Sequence, residues 1–138
     1  MLKEIYNEAF LNTVFKVILS PSEFYEIRVG QENVLEGLKL SGVSSWAYIT
    51  AWNPLPTRYT VEENRLRDQS LRADLDALSL KYIEGIGEAL DGKWYEESLF
   101  IKNITKEQAE SLAYKYGQVA YLFANGNDKA ELIYTQLQ

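Results

Sequence analysis

The 138-residue chain contains no cysteine and no histidine. The first absence excludes disulfides, thiolate nucleophiles and zinc–cysteine clusters; the second removes the usual general base and the commonest transition-metal ligand. Any catalysis must therefore be carried by carboxylates, Lys, Tyr, Ser or Thr. Apolar runs all fall far short of the ~20 residues needed to span a bilayer. Positive charge is also scarce, with 14 Lys and Arg against 20 Asp and Glu for a net charge of −6. Such a surface lacks the basic stripe from which nucleic-acid binding draws its affinity. Neither nucleic acid nor a membrane is expected as a partner. The opening Met1-Leu-Lys-Glu-Ile-Tyr6 lacks the basic-then-apolar order of a signal peptide, which reads as a cytoplasmic location. No spacing matches a phosphate loop, a nucleophile elbow or a metal cage, so neither a metal nor a cofactor is expected.

What is present is a 46% hydrophobic chain with three Trp and ten Tyr, enough for one compact domain over residues 1–138. Its most informative stretch is Trp46-Ala-Tyr-Ile-Thr-Ala-Trp-Asn-Pro54. Large and small apolar residues alternate there and stop at an Asn-Pro elbow, which reads as a central strand delivering a polar turn. Thr60-Val-Glu-Glu63 then has the pattern of a capping box and opens a helix to about Leu78 that brings Asn64 and Arg67 close to the elbow.

Elsewhere, Leu2, Ile5, Tyr6, Ala9 and Phe10 recur at helical spacing and predict a short opening helix over residues 1–12. Strands follow over Thr13–Leu19 and Phe24–Val29, and a short helix over Glu32–Leu40. Glu84-Gly-Ile-Gly87 through Asp91-Gly92 reads as a Gly-rich turn segment before a strand over Trp94–Ile101. Thr105-Lys-Glu-Gln108 is a second capping box, and Asn125-Gly-Asn-Asp128 is a hairpin signal between two last strands. The expected fold is α+β, a mixed, mainly antiparallel sheet packed with about three or four helices as a single-domain sandwich.

Two constellations can carry chemistry. At the strand-end elbow, Asn53 meets Thr60, Asn64 and Arg67 of the following helix, where Arg67 can clamp an anion near a helix N-terminus. The structural alternative is that these side chains only hydrogen-bond neighbouring loops. On the strand after the Gly-rich segment, period two puts Trp94, Glu96 and Ser98 on one face and Glu97 on the other. A carboxylate set among aromatics is a route to a raised pKa; the structural alternative pairs Glu96 with an Arg such as Arg67. Gln118 can offer an amide from a third element.

The ordered series Ala47-Tyr-Ile-Thr-Ala-Trp-Asn-Pro54, Glu63-Asn64 with Arg67 and Leu71, Gly85-x-Gly87, Asp91-Gly-Lys-Trp-Tyr-Glu-Glu-Ser98, and Ala109 to Gly117-Gln-Val-Ala120 resembles the bacterial family called domain of unknown function 3293. The resemblance spans roughly residues 25 to 135 and leaves the opening helix outside. It implies no activity, only a pattern, carried here by Thr50, Asn53, Pro54, Asn64, Arg67, Trp94, Glu96, Ser98 and Gln118.

Together these observations point to a small domain that binds a small polar or anionic ligand around Thr50, Asn53, Asn64, Arg67, Trp94, Glu96, Ser98 and Gln118. The alternatives are a protein-interaction or homo-oligomerisation module built on exposed aromatics and the opening helix, and a carboxylate-dependent hydrolase or transferase using Glu96.

Overall fold

The computed structural model describes residues 2–54 and 57–136, with the Leu2 side chain, expected on the stripe of the opening helix, outside the description. Among the described residues the chain forms α1 (Leu2–Leu11), β1 (Thr13–Ser20), β2 (Glu23–Ile27), α2 (Val34–Gly37), β3 (Ser45–Ile49), α3 (Val61–Ala77), β4 (Tyr82–Ala89), β5 (Tyr95–Lys102), α4 (Lys106–Lys115), β6 (Ala120–Asn125) and β7 (Glu131–Tyr134). The seven strands make one sheet in the order β2-β1-β4-β5-β3-β6-β7. No helix among the described residues is long and apolar enough to cross a membrane.

The α+β class and the four helices agree with the sequence reading, but the mixed sheet and the sandwich do not. Every neighbouring pair of strands is antiparallel, and the one sheet curls into a half-barrel. The curl has a visible cause at one end. The chain leaving edge strand β2 crosses to the β6–β7 turn and bonds to it, Gly30 N–H to the Ala130 carbonyl at 2.7 Å, Ala130 N–H to the Gln31 carbonyl at 2.8 Å and Asn33 N–H to the Asn127 carbonyl at 2.9 Å. These bonds draw the two flanks of the sheet together.

The convex face is a packed layer. Alternation on β3 turns Ala47 and Ile49 outward, where they meet Leu71 and Leu75 of α3 and Ala109, Leu112 and Ala113 of α4. Small residues on the strand let the helices sit close. Both helices begin with complete capping boxes, Thr60 with Glu63 and Thr105 with Gln108, as their sequences predict.

The opposite face of the same strand presents Trp46 and Tyr48 to the concave interior. At the end closed by α2 this interior is solid core, where Trp46 stacks on Phe100 with ring centroids 5.0 Å apart and Ile27, Val34, Leu35 and Leu122 fill the remainder. At the other end it is open. Helix α1 roofs that end: its Asn7 accepts a hydrogen bond from the Tyr134 hydroxyl at 2.9 Å, and Phe10 meets the Tyr134 ring edge-on. Tyr6 and Phe10 face inward, whereas Ile5, expected on the same stripe, is 61% exposed.

The Gly-rich segment read as a turn is mostly strand. Glu84 to Gly87 lie within β4, and only Asp91-Gly92 turns the chain. The glycines are there for space. A Cβ on Gly85 would stand 2.5 Å from the Tyr48 hydroxyl oxygen and 2.6 Å from the Lys16 carbonyl oxygen, the two atoms that share a 2.7 Å hydrogen bond. Gly87 leaves its side of the sheet bare, with Ser98 Oγ as the nearest atom to such a Cβ at 3.8 Å.

The two positions should respond differently to the same added methyl group. Gly85→Ala is expected to lower stability by about 1–3 kcal/mol in urea unfolding, through overpacking against a backbone oxygen that cannot rotate away, while Gly87→Ala changes it by less than about 1 kcal/mol. Equal midpoints for the two variants would contradict this packing account.

Candidate functional site

The open half of the concave face is a cavity of about 820 Å³. It exists because the strands that floor it present small side chains there: Thr13 on β1, Ala89 on β4, Ser98 on β5 and Ala120 on β6. Aromatic rings form its sides, with Phe15 and Tyr48 below, Tyr6 and Phe10 above, and Trp94 from the β4–β5 connection.

One residue organises its polar wall. Asn53 follows β3 with φ 45, a left-handed conformation that Asn tolerates better than most residues. Its backbone N–H donates to Asn64 Oδ1 at 2.9 Å, and Asn64 Nδ2 donates back to Asn53 Oδ1 at 3.0 Å. The Tyr59 N–H also donates to Asn53 Oδ1, at 2.8 Å. With its oxygen receiving two donors, the Asn53 amide can turn only one way, and its Nδ2 donates to Glu96 Oε2 at 3.0 Å. Asn64, 2% exposed, thus stands behind the wall and fixes Asn53 rather than facing the cavity.

The neighbouring groups are held as firmly. Thr50 Oγ1 donates to the Glu97 carbonyl at 2.7 Å and accepts from the Trp52 N–H at 3.1 Å. Gln118 Nε2 donates to the Trp52 carbonyl at 2.9 Å and to the Tyr116 carbonyl at 3.1 Å. Ser98 Oγ donates to the Glu96 carbonyl at 3.1 Å. No base stands beside that hydroxyl among these contacts, so its geometry does not make it an activated nucleophile.

Glu96 is the electrostatic centre. Burial pushes its carboxyl up to about 7, with the Asn53 hydrogen bond pulling the other way. No Lys or Arg among the described residues forms an ion pair with it, so the expected alternative of a pairing with Arg67 is not what holds it. Arg67 lies on the helix side of the sheet, where Nε donates to the Ala51 carbonyl at 2.8 Å and Nη2 to the Tyr116 carbonyl at 2.7 Å. It joins the end of β3 to the end of α4 and does not line the cavity. Glu97 faces the side opposite Glu96, as the alternation requires, and pairs with Arg65 at 3.0 Å.

The structure therefore brings Thr50, Asn53, Trp94, Glu96, Ser98 and Gln118 to one cavity, supports it from behind with Asn64, and leaves Arg67 outside. Reasoning from sequence missed Tyr6, Phe10, Phe15, Tyr48 and Arg58 on the lining. Tyr48 was within reach, since period two sets it on the same face as Thr50; Arg58 carries no signal. Among the described residues no group of three or more acidic side chains is placed to hold a metal ion.

The Glu96 environment has a thermodynamic signature. Its folded value of about 7 exceeds the ordinary 4.5, so the folded protein holds this proton more tightly than the unfolded chain does. The resulting stabilisation is complete below pH 4.5 and is lost as the pH rises through about 7. Glu96→Gln keeps an acceptor for Asn53 without the buried charge. It is expected to flatten stability across that window and to exceed wild type at pH 8 by on the order of 2 kcal/mol. Urea unfolding at pH 5 and pH 8 measures this, and parallel losses in both proteins would rule it out.

A family model described as protein of unknown function (DUF3293) covers residues 49–121, which run from the end of β3 to the start of β6 and hold Thr50, Asn53, Asn64, Trp94, Glu96, Ser98 and Gln118. This span is narrower than the 25 to 135 read from the sequence, and α1, β1, β2 and α2 lie before it. No curated protein and no solved structure matches the chain. Since the match takes in more than half of the residues and nearly the whole polar wall, the chain belongs to the DUF3293 family.

Proposed function

We propose that this protein binds a small molecule in the concave cavity, with an apolar body against the aromatic sides and a polar group at the Asn53–Glu96 wall. The observation that supports this most is the combination of an open interior of about 820 Å³ with a pre-oriented polar cluster on one side of it. Ligand sites characteristically join a largely apolar concavity to a few fixed polar groups. The floor is cut from alanine, serine and threonine, where a protein building only a core would place Leu, Ile or Phe. Thr50, Ser98 and Gln118 contribute to the shape and polarity of the wall, and Trp94 adds a ring to the lining. The anionic ligand expected from the sequence loses its clamp with Arg67 turned away, so the polar character of the ligand is the part that this reading retains.

Plugging the cavity tests it. Ala120 lines the floor from β6, and Ala120→Trp would fill space without touching the hydrogen bonds of Asn53 or Glu96. In a thermal-shift screen of small metabolites, compounds that raise the melting temperature of wild type are expected to have no effect on Ala120→Trp. Stabilisation retained in the plugged variant would place binding elsewhere and overturn the proposal.

A further inference from the structure

The partly or fully buried carboxylates of this protein follow a rule with one exception. Glu88 pairs with Lys16, Glu97 with Arg65, Asp68 with Arg72 and Asp74 with Lys115. Glu110 takes hydrogen bonds from the Tyr121 hydroxyl at 2.8 Å and the Gln136 N–H at 2.9 Å, using both oxygens. Glu96 has one neutral amide on Oε2, and Oε1 receives no donor from the described residues. Buried carboxylates are ordinarily paired or fully hydrogen-bonded, because the unpaired charge costs several kcal/mol. Asp68 Oδ1 also lacks a donor, but Asp68 has its cation in Arg72; Glu96 has no cation, and its unfilled oxygen belongs to a residue on the wall of the cavity of about 820 Å³.

The remaining charges around the cavity do not fill the gap. Asp91 adds a second negative group at the β4–β5 turn, its Oδ1 accepting from the Lys93 N–H at 2.9 Å. Arg58 is the one cation on the described lining; its side chain is exposed, where solvent screens it, and it forms no ion pair with Glu96. Tyr6, Tyr48 and Tyr121 are the other titratable groups there, and burial holds the Tyr48 hydroxyl in its neutral form. Arg58 offsets Asp91, so the described lining is net negative once Glu96 ionises, with rings on several sides, and aromatic faces favour cations.

We infer that the ligand is an organic cation, a protonated amine on a flat apolar body, whose nitrogen donates to Glu96 Oε1 while the body lies among Trp94, Phe10 and Phe15. This identification rests on the small-molecule reading above. The amine completes the ion pair that no side chain supplies, and its arrival favours the ionised carboxylate, so binding near neutral pH releases a proton from Glu96 to solvent.

Three probes of one shape separate the possibilities: phenethylamine, the neutral 2-phenylethanol and the anionic hydrocinnamate, followed by quenching of tryptophan fluorescence and by calorimetry. At pH 8 the amine is expected to bind at least about tenfold more tightly than the alcohol, and hydrocinnamate more weakly than either. Glu96→Gln is expected to reduce the amine to the level of the alcohol. Calorimetry at pH 6.5, where Glu96 is still largely protonated in the free protein, in buffers of different ionisation enthalpy is expected to show proton release for the amine alone. Equal affinity of amine and alcohol, tighter binding of hydrocinnamate, or an amine preference that survives in Glu96→Gln would overturn the cation while leaving a binding cavity in place. Binding of none of the three to the folded wild type would overturn both.

Discussion

The Asn53 side chain is the interaction on which the site depends. Its amide stands at the point where β3 ends and the two faces of the sheet meet. On the helix side its oxygen is used twice, by Asn64 of α3 and by the Tyr59 backbone; on the cavity side its nitrogen holds Glu96. An amide whose oxygen is filled from one direction presents its N–H₂ in the other. The position of the cavity carboxylate is therefore set by the first turn of a helix on the opposite layer. The capping box of Thr60 and Glu63 fixes that turn, so the register of α3 reaches the cavity through two asparagines.

A second constraint is how the curled sheet divides its interior. The convex side is closed by α3 and α4, and half of the concave side by α2 with the Trp46–Phe100 stack. What remains is kept open by residues too small to fill it and roofed by α1. Filling that space with larger side chains would bury more apolar area and add stability. Retaining the space, and a carboxyl whose ionisation opposes folding, costs stability that a fully packed interior would keep.

Much of this was legible in the chain itself. The β3 run, both capping boxes and the 125–128 hairpin turn carry local signals that depend on no distant contact, and each is found where its residues predict. Period two alone puts Trp94, Glu96 and Ser98 together and turns Glu97 away. Strand β4 was hidden because its inward positions are glycines, which serve space here but read as turn chemistry. The sheet was misread as mixed and sandwiched because strand order and curl come from long-range bonds such as Gly30 to Ala130. Arg67 illustrates a further limit: helical spacing shows that it faces the sheet, but not that two backbone carbonyls await it there. The cavity itself leaves no local trace, since its lining is assembled from α1, six of the strands and four connections.

The wall of the cavity is centred on a carboxyl held by an amide on one side and left without a cation on the other. Direct observation of the Glu96 side-chain carboxyl by ¹³C NMR, titrated from acid to neutral pH, reads that state at the atom concerned. A midpoint near 7 is the expected result. A midpoint near the ordinary 4.5 would show the carboxyl to be solvated or ion-paired, and would contradict the cavity wall described here.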